Sequence, residues 1–171
     1  MYRLAVLFLL LSPTLCLFNT NDDVIKLTDQ NFDQVTSSKE LWFIMFYASW
    51  CGHSKNAAPD WKRFATNFKV SWNENYLLIK QGIIKVGAVD SENNPTVTQR
   101  FSVQGFPTIV IFGDNKHSPK PYTGGRDIDH LNKEALRELT SLVKSRTGSG
   151  SSRRIFVSVP ICANICIQLY K

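Results

Sequence analysis

A chain of 171 residues that is 43% hydrophobic is long enough for one well-buried core plus appendages. Its net charge of +6 comes from Lys and Arg spread along the sequence, which suits a solvated basic surface and argues against nucleic-acid binding, where cations cluster. The four cysteines and three histidines never fall at ligand spacing, so no metal site and no cofactor is expected.

Residues 1–16 read as a secretory signal peptide. Arg3 supplies the positive region, Leu4 to Leu11 the apolar core, and Ser12 to Cys16 a cleavable end. The apolar run falls short of the roughly 20 residues a bilayer requires, so no stable membrane insertion is expected after cleavage near Leu17. Cys51, Cys162 and Cys166 would remain, and an odd count in a secretory chain points to a free thiol or an intermolecular partner. Val24 to Leu27 is short and β-branched, a first strand. Thr28 suits an N-cap for an amphipathic turn or two through Phe32 and Val35.

Leu41 to Tyr47 is apolar without alternation, as in a strand covered on both faces. Ser49-Trp50-Cys51-Gly52-His53-Ser54 follows as a tight turn. The next stretch, Lys55 to Phe68, is helix-like, with Pro59 inside it expected to kink the axis. The arrangement places Cys51 at a helix N-terminus, where orphan N–H groups and the helix dipole favour its thiolate. A cationic His53 would add to the effect. The thiolate is the species that attacks disulfides, so the turn reads as redox chemistry.

Ile83 to Val89 is a second buried strand. Asn94 and Pro95 suit the N-cap and first residue of a helix running to Phe101. Thr108 to Phe112 is a third strand, and Lys120 to Thr123 an edge strand that tolerates Pro121. Asp127 is expected to cap a last helix, whose Ile128, Leu131, Ala135, Leu139, Leu142 and Val143 recur at three and four. Strands separated by helices indicate an α/β layered fold. Residues 148–152 read as a flexible linker, followed by an apolar tail to Lys171 that carries Cys162 and Cys166. The tail is too short and too interrupted for a membrane span, and it lacks a KDEL-like retention signal.

Phe46-Tyr47-Ala48 and Trp50-Cys51-Gly52-His53 together resemble the active-site segment of the protein disulfide isomerases, whose thioredoxin domains usually read FYAPWCGHC. The likeness extends over residues 22–147, through Asp23 to Thr28, Lys85 to Asp90, Val103 to Thr108 and Tyr122 to Arg126. The pattern is similar to the first domain of the endoplasmic-reticulum member with two consecutive active thioredoxin domains. The resemblance implies a thioredoxin fold with a central mixed sheet flanked by helices. It also implies location in the endoplasmic reticulum lumen or secretion. Residues 71–81 lengthen the family pattern and are expected to form an excursion away from the active face. A truncated or alternatively spliced end is the leading explanation for the segment 148–171.

By the same resemblance, Phe106-Pro107 is the cis-proline motif facing the active-site cysteine. Trp50, Gly52, Phe106 and Pro107 would then line a groove for unfolded or disulfide-bonded client proteins, bound as an added strand. For Trp50, partial core packing is an equal alternative. The family's second cysteine is Ser54 here. A hydroxyl cannot attack a mixed disulfide, so the site is expected to isomerise or reduce but not to act as a dithiol oxidase. Release then needs an outside thiol, from the client, glutathione or another source. The family's buried glutamate is Met45, read as core packing, since a carboxylate would have little to do beside Ser54. Arg126 matches an arginine that in relatives swings toward the second thiolate; without that thiolate, a plain surface charge is favoured. A fold-back of Cys162 or Cys166 to resolve Cys51 is a minor alternative. The rival function is a redox-weakened, chaperone-like binding module.

Overall fold

The computed structural model describes residues 17–69 and 83–147. The signal segment 1–16, the 71–81 excursion, and the 148–171 linker and tail with Cys162 and Cys166 lie outside the described residues. The element order is β1 (Ile25–Leu27), α1 (Asp33–Ser37), β2 (Leu41–Tyr47), α2 (Gly52–Phe68), β3 (Ile84–Asp90), α3 (Pro95–Arg100), β4 (Thr108–Phe112), β5 (Lys120–Tyr122) and α4 (Ile128–Thr147). The strands form one five-stranded sheet in the order β1-β3-β2-β4-β5. β3 pairs parallel with β1 and β2, while β4 runs antiparallel to both β2 and β5. This is the thioredoxin fold.

Every residue of β2 is buried, which explains its unalternating sequence. Leu41, Phe43, Met45 and Tyr47 face the layer of α2 and α4, packing with Trp61, Phe64, Leu131 and Leu139. Trp42, Ile44 and Phe46 face the other layer, with Phe32, Val35 and Val97. Burying each such side chain contributes roughly 1.5–3 kcal/mol. The same packing anchors α2. Trp61 is fully buried, its indole N–H donates to Gly87 O at 3.2 Å, and Phe64 meets Phe43 edge-on at 5.2 Å. The helix is continuous through Pro59 and starts shortly after the end of β2.

Two capping expectations change. Thr28 does not cap α1: that helix starts after Phe32, and the Thr28 carbonyl instead accepts from Asn31 and Phe32 N–H. Asn94 stands at the N-cap position of α3 without a side-chain cap bond. Its amide bridges Asp90 O and Asp29 N–H, while the Asp29 carboxylate accepts from Val97 N–H at 2.9 Å and Thr96 N–H at 3.3 Å. The cap thus comes from a residue more than 60 positions away, which local sequence patterns do not reveal. Asp127 does cap α4, accepting His130 N–H at 3.1 Å.

Candidate active site

Three chain segments meet at the end of the sheet where β2 and β3 terminate side by side, with Tyr47 in register with Asp90. The first is the turn after β2, closed by Cys51 N–H donating to Ala48 O at 3.1 Å. Cys51 then takes the N-cap position of α2 in an extended conformation, and its carbonyl accepts the Lys55 N–H at 3.0 Å. The sulfur therefore sits above the unpaired N–H groups of the first helical turn. These groups hold its thiol below the ordinary cysteine value. The Ser54 N–H is the largest influence, opposed by partial desolvation; the Ser54 hydroxyl, the His53 N–H and the Arg126 charge act in the same direction as the first. Cys51 is 9% exposed, at the edge of the buried core.

The second segment is the loop before β4. Its Phe106–Pro107 peptide bond is cis. The Cys51 thiol donates to Phe106 O at 3.3 Å, so sulfur and cis-proline loop face each other. Trp50 is 65% exposed and meets Phe106 edge-on at 6.2 Å, giving the rim an apolar wall. Trp50 is thus a surface residue, not a core one. A side chain added at Gly52 would meet nothing within 4 Å, so the space over the helix start is open.

The third segment leads into α4. Arg126 donates to Pro107 O at 3.2 Å, and its charge reaches Cys51. Arg126 is exposed, as a surface charge would be, while its guanidinium also bonds the loop that carries the cis-proline. His53 is exposed and lines a shallow depression with Asn56, Ala57, Asp60, Arg126 and Asp127. Its influence on Cys51 comes through the backbone N–H.

Ser54 is completely buried at the third position of α2. Its Oγ has no hydrogen-bond partner of ordinary geometry among the described residues. Met45 is likewise enclosed, between Ala88 and Ile109 of the neighbouring strands, as core packing. Among the described residues, no group of histidines, cysteines and carboxylates could hold a metal ion. No helix among them is long and apolar enough to cross a membrane.

Glu92 is a site residue that sequence reasoning missed. Its carboxylate accepts from the Trp50 indole N–H at 2.8 Å and the Ser49 hydroxyl at 3.1 Å, fixing the rim of the groove. Parallel neighbouring strands bring their C-terminal loops together, and that was the available signal. Glu92→Ala is expected to weaken binding of an apolar, extended client peptide about two- to five-fold, as loss of an exposed charged hydrogen bond should. Fluorescence anisotropy of a labelled cysteine-free peptide measures this, with Cys51 alkylation by a small reagent little changed.

Comparison with known proteins agrees with this geometry. The thioredoxin family profile matches residues 23–137. Human protein disulfide-isomerase A6 is 43% identical over 136 residues, covering 79% of this chain and 28% of its own length. Protein disulfide-isomerase like 2-2 of Arabidopsis thaliana is 43% identical over 118 residues, covering 68% of this chain and 24% of its own. The chain therefore spans about a quarter of the length of these relatives. Among solved structures, the J-Trx1 fragment of ERdj5 superposes with a TM-score of 0.58 at 27% identity, covering 71% of this chain and 52% of that one. On these grounds the chain belongs to the thioredoxin family, with a thioredoxin domain similar to those of the protein disulfide isomerases.

Proposed function

We propose that the domain carries out thiol–disulfide exchange on secretory-pathway proteins through Cys51 alone. The observation that carries this reading is the position of the Cys51 sulfur: over the first N–H groups of α2, opposite the cis-proline loop, with a hydroxyl at Ser54. The thiolate attacks one sulfur of a client disulfide. A Cys51–client bond forms, the client's S–S bond breaks, and the other client sulfur leaves as thiolate. Mixed-disulfide formation also removes the thiol proton from Phe106 O, freeing that carbonyl for a client N–H and favouring an extended client in the groove. Trp50 and Phe106 offer apolar contact beside it.

Release depends on a thiol from outside the site, the client's own or glutathione. Attack by a second client thiolate on the client sulfur makes a new client disulfide and returns the Cys51 thiolate, which is isomerisation. Net oxidation would need Cys51 to share a disulfide with a second thiol at 54, where the chain has serine. Similarity to disulfide isomerases supports action in the endoplasmic reticulum lumen or on secreted proteins.

The exposed Trp50 rim also suits a second reading, a module that holds unfolded clients without exchanging their disulfides. Refolding of scrambled ribonuclease with added glutathione separates the two. Exchange predicts turnover by the parent and only the uncatalysed rate for Cys51→Ala. Equal rates, with both proteins suppressing client aggregation, would favour the binding module.

A further inference from the structure

Ser54 places a polar group within the buried face of α2. Its side chain is fully buried, its neighbours on the same helix face include Ala57 and Ala58, and its Oγ is unpartnered among the described residues. Burying a hydroxyl without a partner is destabilising, so a group of this kind points to a state in which the partner appears. The acceptor at hand is the Cys51 sulfur, one helical turn away. As a neutral thiol, that sulfur gives its proton to Phe106 O at 3.3 Å and is a poor acceptor. Once negatively charged, it becomes a strong acceptor for the Ser54 hydroxyl.

We propose that Ser54 directs how clients are discharged: its hydroxyl donates to the Cys51 sulfur as that sulfur leaves a mixed disulfide, steering the incoming thiolate onto the client's sulfur. This rests on the single-thiol exchange described above. Two attacks are open to glutathione thiolate. On the client sulfur, a glutathione–client disulfide forms, the Cys51–client bond breaks, and the electron pair remains on Cys51 under the Ser54 hydroxyl. On the Cys51 sulfur, a glutathione–Cys51 disulfide forms and the client leaves as thiolate, reduced. Neither route needs a further oxidant. The sulfur that is better stabilised as an anion leaves faster, so Ser54 favours the first route. Isomerisation requires the same direction, with a client thiolate in place of glutathione. Serine at 54 therefore cannot resolve a mixed disulfide itself, yet it selects the isomerising outcome over the reducing one.

The stabilisation of the Cys51 anion by the Ser54 hydroxyl and N–H agrees with this. The other charged or titratable groups around the sulfur are Arg126 from the loop before α4, Glu92 beyond Trp50, and His53, with Asp60 and Asp127 lining the adjacent depression. Ser54→Ala leaves all of them in place.

The test uses the reduced full chain, loaded at Cys51 with a single-cysteine peptide activated as its thionitrobenzoate disulfide. Glutathione is added, and mass mapping of Cys51 fragments gives the ratio of glutathione–peptide to glutathione–Cys51. In Ser54→Ala this ratio is expected to fall roughly three-fold. The midpoint of Cys51 alkylation should rise by about one pH unit, the size of a hydrogen bond to a charged group. The melting temperature at a pH below the measured alkylation midpoint, where the thiol is protonated, should rise or hold, because an unpaired hydroxyl has been removed. Unchanged ratio and unchanged alkylation midpoint overturn the inference, as does a lower melting temperature, which would show the hydroxyl paired in the resting state. A parent adduct that glutathione cannot discharge overturns the exchange reading and this inference together. Discharge with the same product ratio in both proteins overturns the inference alone.

Discussion

Ser54→Cys is expected to turn the domain into a dithiol oxidase. With serine at 54 the parent has no second thiol for an internal disulfide between positions 51 and 54, so on the proposed mechanism it stops at a mixed disulfide. The substituted thiol would lie at the third position of α2, beneath the sulfur of Cys51 and fully enclosed, in the space now taken by a hydroxyl of slightly smaller size. With glutathione disulfide as the oxidant that regenerates the 51–54 disulfide, oxidation of a reduced peptide substrate should rise from the uncatalysed rate by at least about ten-fold, since an intramolecular thiol acts at a high effective concentration. Long-lived client adducts should disappear at the same time, because the new thiolate attacks the Cys51 sulfur and expels the client. Peptide mapping of the oxidised protein checks that the new disulfide joins 51 to 54. Failure to form it, with the domain still folded, would mean that the two positions do not face each other as described.

Met45→Glu carries the second large effect, on stability. Met45 is fully enclosed between Ala88 and Ile109, in the cluster that contains Trp61 and Phe64. A carboxylate there would be buried, so unfolding should become easier by about 3–5 kcal/mol at neutral pH. The sign of the pH dependence follows from the direction of the change. Burial raises the folded-state pKa of the new carboxyl above its unfolded value of about 4.3, so the folded state binds more protons between those two values. Stability should then fall as pH rises through that window. Urea unfolding at about pH 4.5 and about pH 7.5 measures it. A loss under 1 kcal/mol, independent of pH, would show that position 45 is reached by water or by a cation.

The sheet and its two apolar faces could be read from the sequence because β2 is hydrophobic at every position and α4 repeats at three and four. Both patterns report burial directly, and the observed strand and helix limits lie within a few residues of the expected ones. The turn at Cys51 was also legible, since an apolar strand followed by a cysteine and a helix leaves few places for the sulfur. What escaped were contacts that join distant segments. Asp29 caps α3 across the fold, and Glu92 holds Trp50 and Ser49, because parallel strands bring their ends together in space. The bond from Arg126 to Pro107 O likewise joins segments that are separate in sequence. The empty hydrogen-bonding position of Ser54 could not be seen either, because a missing partner is a property of the packed core.

The pH dependence of Cys51 alkylation in the reduced full chain, located by mass mapping, tests the central claim most directly. A sulfur set over the helix start and reached from the groove should be modified completely in the folded protein, with an inflection below the value of about 8.5 found for free cysteine. An inflection at or above that value, or a cysteine that reacts only after unfolding, would contradict a single, ready thiolate as the working group of this domain.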